Sequence, residues 1–484
     1  AAGTTIRWVN DGDNVHNVTP NAGHSFGSGA LAPGKSYVHK FADPGSYAYY
    51  CTLHGTPTKG QHAVVAVGDA ATPSPVAPVA PVGGGDRDAP AIHASGRTIR
   101  VPGDSSTIQA GVDRARPGDL VLVSPGVYRE SVTVGTDGVV IRGVDRNTTI
   151  LDGQFRRENG VFVAGANGVA VENLIARNYT ENGFFWNGVL GYRGSYLTAY
   201  RNGDYGIYAY DSQYGQFDHS YASGSPDSGF YIGQCNPCHA VITDVVAEYN
   251  QLGYSGTNSS GDLFLVNSIW RLNRTGIVPN SLDSEELPPQ GHATIAGNVV
   301  SENGNPGAAR TGTEVFDAAL GGGIVVVGGV GDLITRNRIV ANTKIGIALA
   351  PNPFLQKTYF PASDNTVSDN VVQGSGLVDL AVIPFVADDR NCFSGNSFAT
   401  SAPTGLDQLK PCGGAPGSGD PTAGALDLGK FLDTSANPPG TNYRETPVAP
   451  KQRNMAKAKS VRARPAGAPR KVDLAAIKVP AARG

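Results

Sequence analysis

Three stretches of sequence decide the fold: GFFWN at residues 183–187, GIYAY at 206–210 and GFYIG at 229–233. Each opens on a glycine, continues as a short apolar and aromatic run typical of a β-strand, and begins 23 residues after the one before. A period of 23 residues without Leu- and Ala-rich amphipathic stretches predicts a β-solenoid. The glycines that open such runs keep this interval, apart from one step of 24 and one of 47 residues: Gly160, Gly183, Gly206, Gly229, Gly253, Gly276, Gly323 and Gly346.

Each coil of such a solenoid forms a few short strands, and equivalent strands of successive coils stack at ~4.8 Å. The step of 47 residues contains a polar insertion at 281–290 and a Gly/Ala-rich stretch at 304–321, so we expect one coil with two loops. Asparagines precede most of the glycines by a few residues, where stacked amides can form a hydrogen-bonded ladder: Asn178, Asn202, Asn250, Asn273 and Asn342.

The composition indicates an all-β chain with more than one domain. Of 484 residues, 40% are hydrophobic, 64 are glycine and only 16% are charged, which favours short strands joined by turns. The sequence predicts a small β-sandwich at 1–69, a Pro/Ala/Gly-rich linker at 70–95, the solenoid at 96–413 and an extended or disordered tail at 414–484. A short helix within 105–116 is expected to cap the first coil.

The charge is divided unevenly along the chain. From Lys451 onward, ten of the 38 Lys and Arg residues accompany a single acid, Asp473, although the formal net charge is only -3. We expect this basic tail to bind anionic cell-envelope polymers or only to aid solubility, and no nucleic-acid partner is predicted. No apolar run is long enough to span a bilayer. The start at Ala1 fits a chain whose export signal has been removed, so an extracellular, periplasmic or cell-surface location is expected.

A possible metal site lies near the N-terminus. Cys51 and His54 share one tight loop after a strand, in YYCTLHG at 49–55, and His16 lies upstream. One thiolate and two imidazoles are the equatorial ligands of a trigonal blue-copper centre.

Residues 1–69 resemble the plastocyanin-like cupredoxins, through this motif and the preceding DPGSYAYYC at 43–51. The resemblance implies a cupredoxin sandwich with one type 1 copper ion bound by His16, Cys51 and His54. The family's axial methionine is missing, and the aligned position is Gln61. Gln61, His62 or no residue at all then completes the site.

The five cysteines fit this assignment. If Cys51 binds copper, the other four pair as Cys235–Cys238 and Cys392–Cys412. The Cys235-Asn236-Pro237-Cys238 spacing leaves zinc binding or redox exchange open as alternatives to a structural disulfide.

Residues 96–400 resemble the right-handed parallel β-helix proteins, a group containing pectate lyases, epimerases and a periplasmic copper-processing family. The motifs are TIQAGV at 107–112, RPGD at 116–119, PGVYRE at 125–130 and ILDG at 150–153. Neither a lyase-type calcium/arginine motif nor the epimerase Asp-Pro-His signature is present. The resemblance therefore implies the fold but assigns no catalytic residue.

Aromatic and acidic residues recur in the middle coils. The second residue after three successive glycines is aromatic, which predicts either an outward ladder of rings that binds sugars or rings covered by loops. The glycan-binding candidates are Phe185, Tyr208, Tyr210, Tyr231, Gln234 and Asn258. Acid/base candidates for a hydrolase, lyase or epimerase are Asp204, Asp211, Asp218 and Asp227, with His219 and His239, and no arrangement among them fixes a reaction.

Three functions follow from these features. The first is an exported blue-copper protein for electron transfer or copper holding, with a redox partner and a β-helix that binds glycan or cell wall. The second is a polysaccharide-active β-helix enzyme with an accessory copper domain. The third is copper delivery to a copper-requiring partner enzyme. The sequence leaves open whether the β-helix is catalytic.

Overall fold

The computed structural model describes residues 3, 5–10, 16–20, 26–56, 59–67, 82–310, 314–352, 358–415, 417, 419–435 and 437–482, and leaves out the side chains of 53–56, 59–62 and 314–316. The chain divides into two compact units, residues 1–82 and 83–484. None of the described helices has the length and apolarity needed to cross a membrane.

The second unit is a parallel β-helix, and each regular coil contributes one strand to each of three sheets in turn. Sheet A has twelve strands: Thr98–Val101, Leu120–Val123, Val140–Gly143, Val169–Glu172, Leu190–Ser195, Gln213–Asp218, Ala240–Thr243, Ser260–Val266, Gly291–Ala296, Leu333–Thr335, Thr366–Ser368 and Cys392–Ser394. Sheet B has ten: Gly126–Tyr128, Thr149–Asp152, Ile175–Arg177, Thr198–Tyr200, Tyr221–Ser223, Val246–Glu248, Ile269–Arg271, Val299–Ser301, Arg338–Val340 and Val371–Gln373. Sheet C has eleven: Val132–Val134, Val161–Ala164, Phe184–Asn187, Ile207–Tyr210, Ser228–Gly233, Leu252–Thr257, Thr275–Asn280, Gly322–Val327, Ile345–Ala350, Val378–Val382 and Ser401–Ala402.

The run-opening glycines lie at the corner between sheets B and C, where successive coils approach closely. A Cβ on Gly183 would lie 2.6 Å from the carbonyl oxygen of Gly206, and a Cβ on Gly206 would lie 2.6 Å from that of Gly229. Only glycine fits this column without moving the backbone. The 23-residue period is therefore a packing requirement of the corner.

Buried asparagines form a ladder beside this column. The backbone N–H of Asn250 donates to Oδ1 of Asn273 at 3.0 Å, and Asn273 repeats the contact to Asn303 at 3.1 Å. Asn303 continues it to Asn342 at 3.2 Å. Each turn thereby satisfies the buried backbone groups of its neighbour. Asn202 accepts from Tyr179 N at this corner, whereas Asn178 bonds to Asp152 instead.

The long step between Gly276 and Gly323 contains one strand of sheet A and one of sheet B, so it is one coil with two inserted loops. The second loop contains a 3₁₀ turn, Glu314–Ala319. The first helix, Ile108–Asp113, follows the first strand and buries Ile108 and Val112 in the core. The remaining described helical segments of the second unit are Leu406–Leu409, Leu428–Leu432, Tyr443–Glu445 and Leu474–Ala476.

Both predicted disulfides of this unit are present, Cys235–Cys238 and Cys392–Cys412. The part of the predicted linker that begins at Gly83 packs against the β-helix. Gly85 N donates to Asn236 O at 3.0 Å, and Gln213 Nε2 donates to Gly85 O at 2.7 Å. Backbone hydrogen bonds thus fix a segment whose composition predicted a spacer.

The first unit contains short antiparallel sheets. Thr5–Val9 pairs with Ser36–Lys40, and His16–Asn17 pairs with Ala30–Leu31. Gly45–Thr56 lies between Thr19–Pro20 and Lys59–Val67 in a three-stranded sheet. The apolar core of this unit includes Val18, Phe26, Leu31, Phe41 and Val67.

Candidate active site

The predicted aromatic ladder is present in sheet C. Phe185 pairs in register with Tyr208, and Tyr208 with Tyr231, on successive coils. The rings of Phe185 and Tyr208 stack with centroids 4.3 Å apart, and Tyr231 meets Tyr208 edge-on at 4.9 Å. These three rings are only 1–4% exposed. They are therefore covered, and the open stacking surface is not formed.

Neighbouring side chains and the 281–290 loop pack around this cluster. Tyr205 stacks on Tyr208 with a centroid separation of 4.2 Å. Gln234 donates to the carboxyl of Glu285, which belongs to the loop. Asn258 Nδ2 holds the same loop by donating to Leu282 O at 2.7 Å and to Glu286 O at 2.9 Å. Gln234 and Asn258 thus act in the structure as loop anchors.

A row of four acids lies beside the rings, at the corner that leads from sheet B into sheet C. Glu158, Glu181, Asp204 and Asp227 occupy equivalent positions on successive coils, which we call the carboxylate row. Their backbones are joined in sequence: Glu181 N donates to Glu158 O at 3.0 Å, Asp204 N to Glu181 O at 3.0 Å, and Asp227 N to Asp204 O at 3.2 Å. The row therefore has the ~4.8 Å spacing of the strands.

The row becomes more enclosed along the helix. Glu158 is exposed, Glu181 and Asp204 are half-buried, and Asp227 is 8% exposed. Burial, with the charge of Glu158, raises the pKa of Glu181 to about 8. Burial and the charges of Asp227 and Glu181 raise the pKa of Asp204 well above its usual value. The row thus retains protons near neutral pH.

Asp227 differs from Asp204 in its hydrogen bonds. Tyr205 donates its hydroxyl to Asp227 Oδ2 at 3.2 Å, and Ser228 donates to Oδ1 at 3.1 Å. Burial raises the pKa of Asp227 to about 7, and these two donors, which favour the charged carboxylate, oppose the rise. Burial and the charge of Asp227 raise the pKa of Glu285 to about 7. Asp227 consequently gives up its proton more readily than Asp204.

The next two coils replace the acid with an amide and then a cation. Gln251 is paired with Asp227 by register and Arg274 with Gln251. Gln251 is fully buried, yet neither Oε1 nor Nε2 finds a hydrogen-bond partner within the described part of the chain. A buried unpaired amide is unfavourable, so Gln251 retains unused hydrogen-bonding groups at this corner.

The other predicted acid/base residues lie at different corners. Asp211 Oδ1, after the sheet C strand, accepts from Gly83 N at 2.6 Å and so fixes the start of the unit. Asp218 and His219 follow the sheet A strand, with Oδ1 and Nδ1 2.8 Å apart. Burial favours a raised pKa for Asp218, but hydrogen bonds from His219, Ser195 and Gln216 lower it, and the bond to Asp218 raises the pKa of His219. Of the predicted acid/base residues, Asp204 and Asp227 belong to the row.

Glu158 and Glu181 were therefore missing from the sequence-based candidates. The signal was available, because each acid of the row stands two residues before a run-opening glycine. The rings were predicted from the residues that follow each glycine. The residues that precede each glycine would have revealed the whole row of acids.

In the first unit, two of the predicted copper ligands come together. His16 Nδ1 lies 3.7 Å from Cys51 Sγ, and Asn17 N donates to that sulfur at 3.4 Å. The side chains of His54, Gln61 and His62 lie outside the described residues, and no group of three or more His, Cys, Asp or Glu within the described ranges could hold a metal. The four-residue ligand set stays a prediction.

Comparison with known proteins gives one family match, within the second unit, and several similar solved structures. A family model described as a right-handed β-helix region matches residues 182–319. Similar solved structures include the A-module of a mannuronan C-5 epimerase from Azotobacter vinelandii, at 16% identity and a TM-score of 0.42, which covers 64% of this chain and 94% of that one. The catalytic domain of a GH87 α-1,3-glucanase, in complex with tetrasaccharides, is 12% identical with a TM-score of 0.40 and covers 83% and 88%. A pectate lyase is 15% identical with a TM-score of 0.39 and covers 77% and 91%.

These findings correct the first of the three predicted functions. The reported matches name a polysaccharide lyase, an epimerase and a glucanase, and none of them is a copper protein. The prediction of a blue-copper protein for electron transfer or copper holding, with a redox partner, is therefore wrong as the main function. Together with the three parallel sheets, the family match shows that the second unit folds as a right-handed parallel β-helix.

Proposed function

We propose that the β-helix is a polysaccharide-active enzyme whose reaction centre is the carboxylate row, and that it hydrolyses a linear glycan. The observation that carries the proposal is the set of acids one coil apart, with pKa values raised by burial and by one another. Titratable groups tuned towards neutral pH in a partly enclosed setting are typical of acid/base catalysis.

The periodicity of the row supports a polymeric substrate. Equivalent side chains recur at ~4.8 Å along the helix axis, so a linear chain lying along the corner meets a similar set of groups at each step. The half-buried rings of Phe162 and Tyr205 adjoin the row and offer faces to sugar C–H groups. Four closely spaced acids repel a polyanion, and we therefore favour hydrolysis of a neutral glycan over cleavage or epimerisation of a uronate.

The two inner acids differ in the way that glycoside hydrolysis requires. Asp204, whose pKa is raised well above its usual value by burial and by the charges of Asp227 and Glu181, stays protonated and donates a proton to the glycosidic oxygen as the bond to the anomeric carbon breaks. Asp227, stabilised as the carboxylate by Tyr205 and Ser228, acts on the other side of that carbon. It either removes a proton from the attacking water or forms a glycosyl ester that water then cleaves.

Three accessory features complete the proposal. The helix Ile108–Asp113 closes the apolar start of the β-helix, through Ile108 and Val112. Two disulfides favour an oxidising compartment, which supports an exported protein. The cupredoxin-like fold of residues 1–69 and its copper ligands remain predictions from sequence and take no part in the proposed reaction.

The test is a reducing-end assay of the full chain on neutral glucans and xylans, with polygalacturonate and alginate as acidic glycans. We expect hydrolysis of at least one neutral glycan, and a loss of about 100-fold or more in kcat for Asp204→Asn and for Asp227→Asn. The matched control is Glu302→Gln, which changes an exposed acid on another coil and should leave kcat unchanged.

The outcomes separate the alternatives. Unsaturated products from an acidic glycan would replace hydrolysis with a lyase reaction. Activity that survives both asparagine variants would remove the carboxylate row from the mechanism. The anomeric form of the first product tells whether Asp227 is a nucleophile, which retains configuration, or a base, which inverts it.

A further inference from the structure

The basic end of the chain has a defined course over sheet A. Residues 450–482, which we call the strap, contain one short 3₁₀ turn and otherwise run without regular structure. Ala466 N donates to Gly168 O at 2.8 Å, and Ile477 is buried against Val241 and Ala296. The contacts extend from the strand Val140–Gly143 to the strand Leu333–Thr335, seven strand steps or ~34 Å.

Arginines of the β-helix hold the strap by its backbone. Arg142 Nη1 donates to Val461 O at 2.6 Å, Arg336 Nη1 to Leu474 O at 2.7 Å, and Arg338 Nε to Pro480 O at 2.6 Å. Arg193 donates in the same way to Arg464 O. These bonds use the strap's carbonyl groups and none of its charged side chains, so the side chains remain free to face solvent.

The strap's own cations are all on the outside. Among its described residues only Arg470 forms an ion pair, with Asp244 at 3.5 Å. The strap contains one acid, Asp473. Nine exposed Lys and Arg side chains follow its length: Lys451, Arg453, Lys457, Lys459, Arg462, Arg464, Arg470, Lys471 and Lys478.

This arrangement is unfavourable for the isolated molecule. Nine cations along ~34 Å of the helix axis correspond to about one charge per 4 Å of axis, a high density relative to the ~8 Å Debye length at physiological salt. Apart from Arg470, which contacts Asp244 and Thr243, the cations do not anchor the strap, because backbone bonds and buried apolar contacts do so. Their repulsion is relieved when an external polymer supplies anions at a similar spacing, with release of counterions.

We propose that the strap is a preformed binding surface for a linear anionic polymer of the cell envelope. The anion is a carboxylate on each sugar or a phosphodiester in each repeat, and the shared chemistry is a regular row of negative charges. This surface lies on sheet A, apart from the carboxylate row at the corner of sheets B and C, so one molecule can hold an anionic polymer and act on a neutral one.

The experiment compares two variants of equal charge change in the full chain. The strap variant replaces Lys457, Lys459, Arg462 and Arg464 with Gln, since none of these side chains makes a hydrogen bond or ion pair within the described structure. The control variant replaces four exposed cations elsewhere with Gln: Arg116, Arg129, Arg156 and Lys430. Binding is measured by calorimetry between 50 and 300 mM NaCl with polygalacturonate, inorganic polyphosphate, neutral dextran and single-stranded DNA.

We expect the wild type to bind at least one of the two anionic polymers and not dextran. The strap variant should bind at least tenfold more weakly at 100 mM NaCl, and the slope of log affinity against log salt should fall by about 3 for four lost contacts. The control should stay within threefold of the wild type. Equal weakening by both variants, or no binding to either anionic polymer, would overturn the proposal. DNA binding more than tenfold tighter than either polymer would replace it with a nucleic-acid surface.

Discussion

Asp227→Asn is the most informative single substitution in the carboxylate row. It keeps the size of the side chain and an oxygen that can accept hydrogen bonds from Tyr205 and Ser228. It removes the ability of this side chain to ionise. It also removes the negative charge that helps to raise the pKa of Asp204. The substitution therefore separates the ionisation of the row from its packing.

The magnitude follows from the pKa of Asp227, which folding raises from 3.8 to about 7. At 1.36 kcal/mol per pH unit, a rise of about three units corresponds to about 4 kcal/mol. Because the charge of Asp227 also raises the pKa of Asp204, the two titrations depend on each other, and we expect a measured effect of about 1–3 kcal/mol. A raised carboxyl pKa means that the folded state binds the proton more tightly. The stabilisation of the folded state by this tighter proton binding is complete below about pH 4 and is lost as the pH rises through about 7.

Urea unfolding at pH 4.5, 6 and 8 measures the effect. In a Trp8→Phe background the fluorescence comes from Trp186 and Trp270, which are buried in the β-helix. We expect the free energy of unfolding of the wild type to fall between pH 4.5 and 8 by about 1–3 kcal/mol more than that of Asp227→Asn, in which Glu181 and Glu285 still have raised pKa values. Glu302→Gln should keep the wild-type pH dependence. An Asp227→Asn protein with the full wild-type fall would refute the assignment of raised pKa values to the row.

Three further substitutions test the packing of the β-helix. Asn273→Ala removes an amide that accepts from Asn250 and donates to Ala247 O at 3.0 Å, and leaves buried groups unpaired, so urea unfolding should show a loss of about 2–4 kcal/mol. Tyr208→Ala opens a cavity between stacked rings and should destabilise by about 3–5 kcal/mol, whereas Tyr208→Phe keeps the stack and should lose less than half of that; equal losses would contradict the role of the stack. Cys392→Ser breaks a disulfide that closes a separation of 20 residues, and should lower stability by about 3 kcal/mol without reductant and by nothing in its presence.

The period of the fold was readable from the sequence because it is imposed by a local steric rule. A Cβ at Gly183 or Gly206 would collide with the next coil, so glycine recurs wherever the corner recurs. The buried asparagines follow the same logic, since each amide must meet the backbone of its neighbour. Patterns that result from contacts one coil away keep a fixed interval in the sequence.

Contacts between distant segments leave no such interval. The rings at Phe185, Tyr208 and Tyr231 are covered in part by the loop at 281–290, more than two coils away. The sequence around the three aromatic residues gives no sign of this loop contact. The strap is fixed by arginines such as Arg142, which precedes Val461 by 319 residues. Its composition predicted an extended or disordered tail. The arginines bind the strap's backbone carbonyl groups, which every residue has, so side-chain composition gives no sign of these contacts.

The carboxylate row is difficult to explain as a means of stabilising the fold. Its members are held one strand spacing apart by backbone bonds, so their charges cannot move away from one another. The neighbouring coil shows that the same position accepts an amide, since Gln251 follows Asp227 in register. An amide avoids both the repulsion and the burial of charge, and a row with Asn at Asp204 and Asp227 should therefore be more stable than the wild type at pH 8. A protein that retains the less stable arrangement gains a proton donor and a proton acceptor side by side, a trade of stability for activity that is common at active sites. The double variant should thus combine a higher urea midpoint at pH 8 with the loss of hydrolysis, and a double variant that is both active and more stable would leave the row without a function.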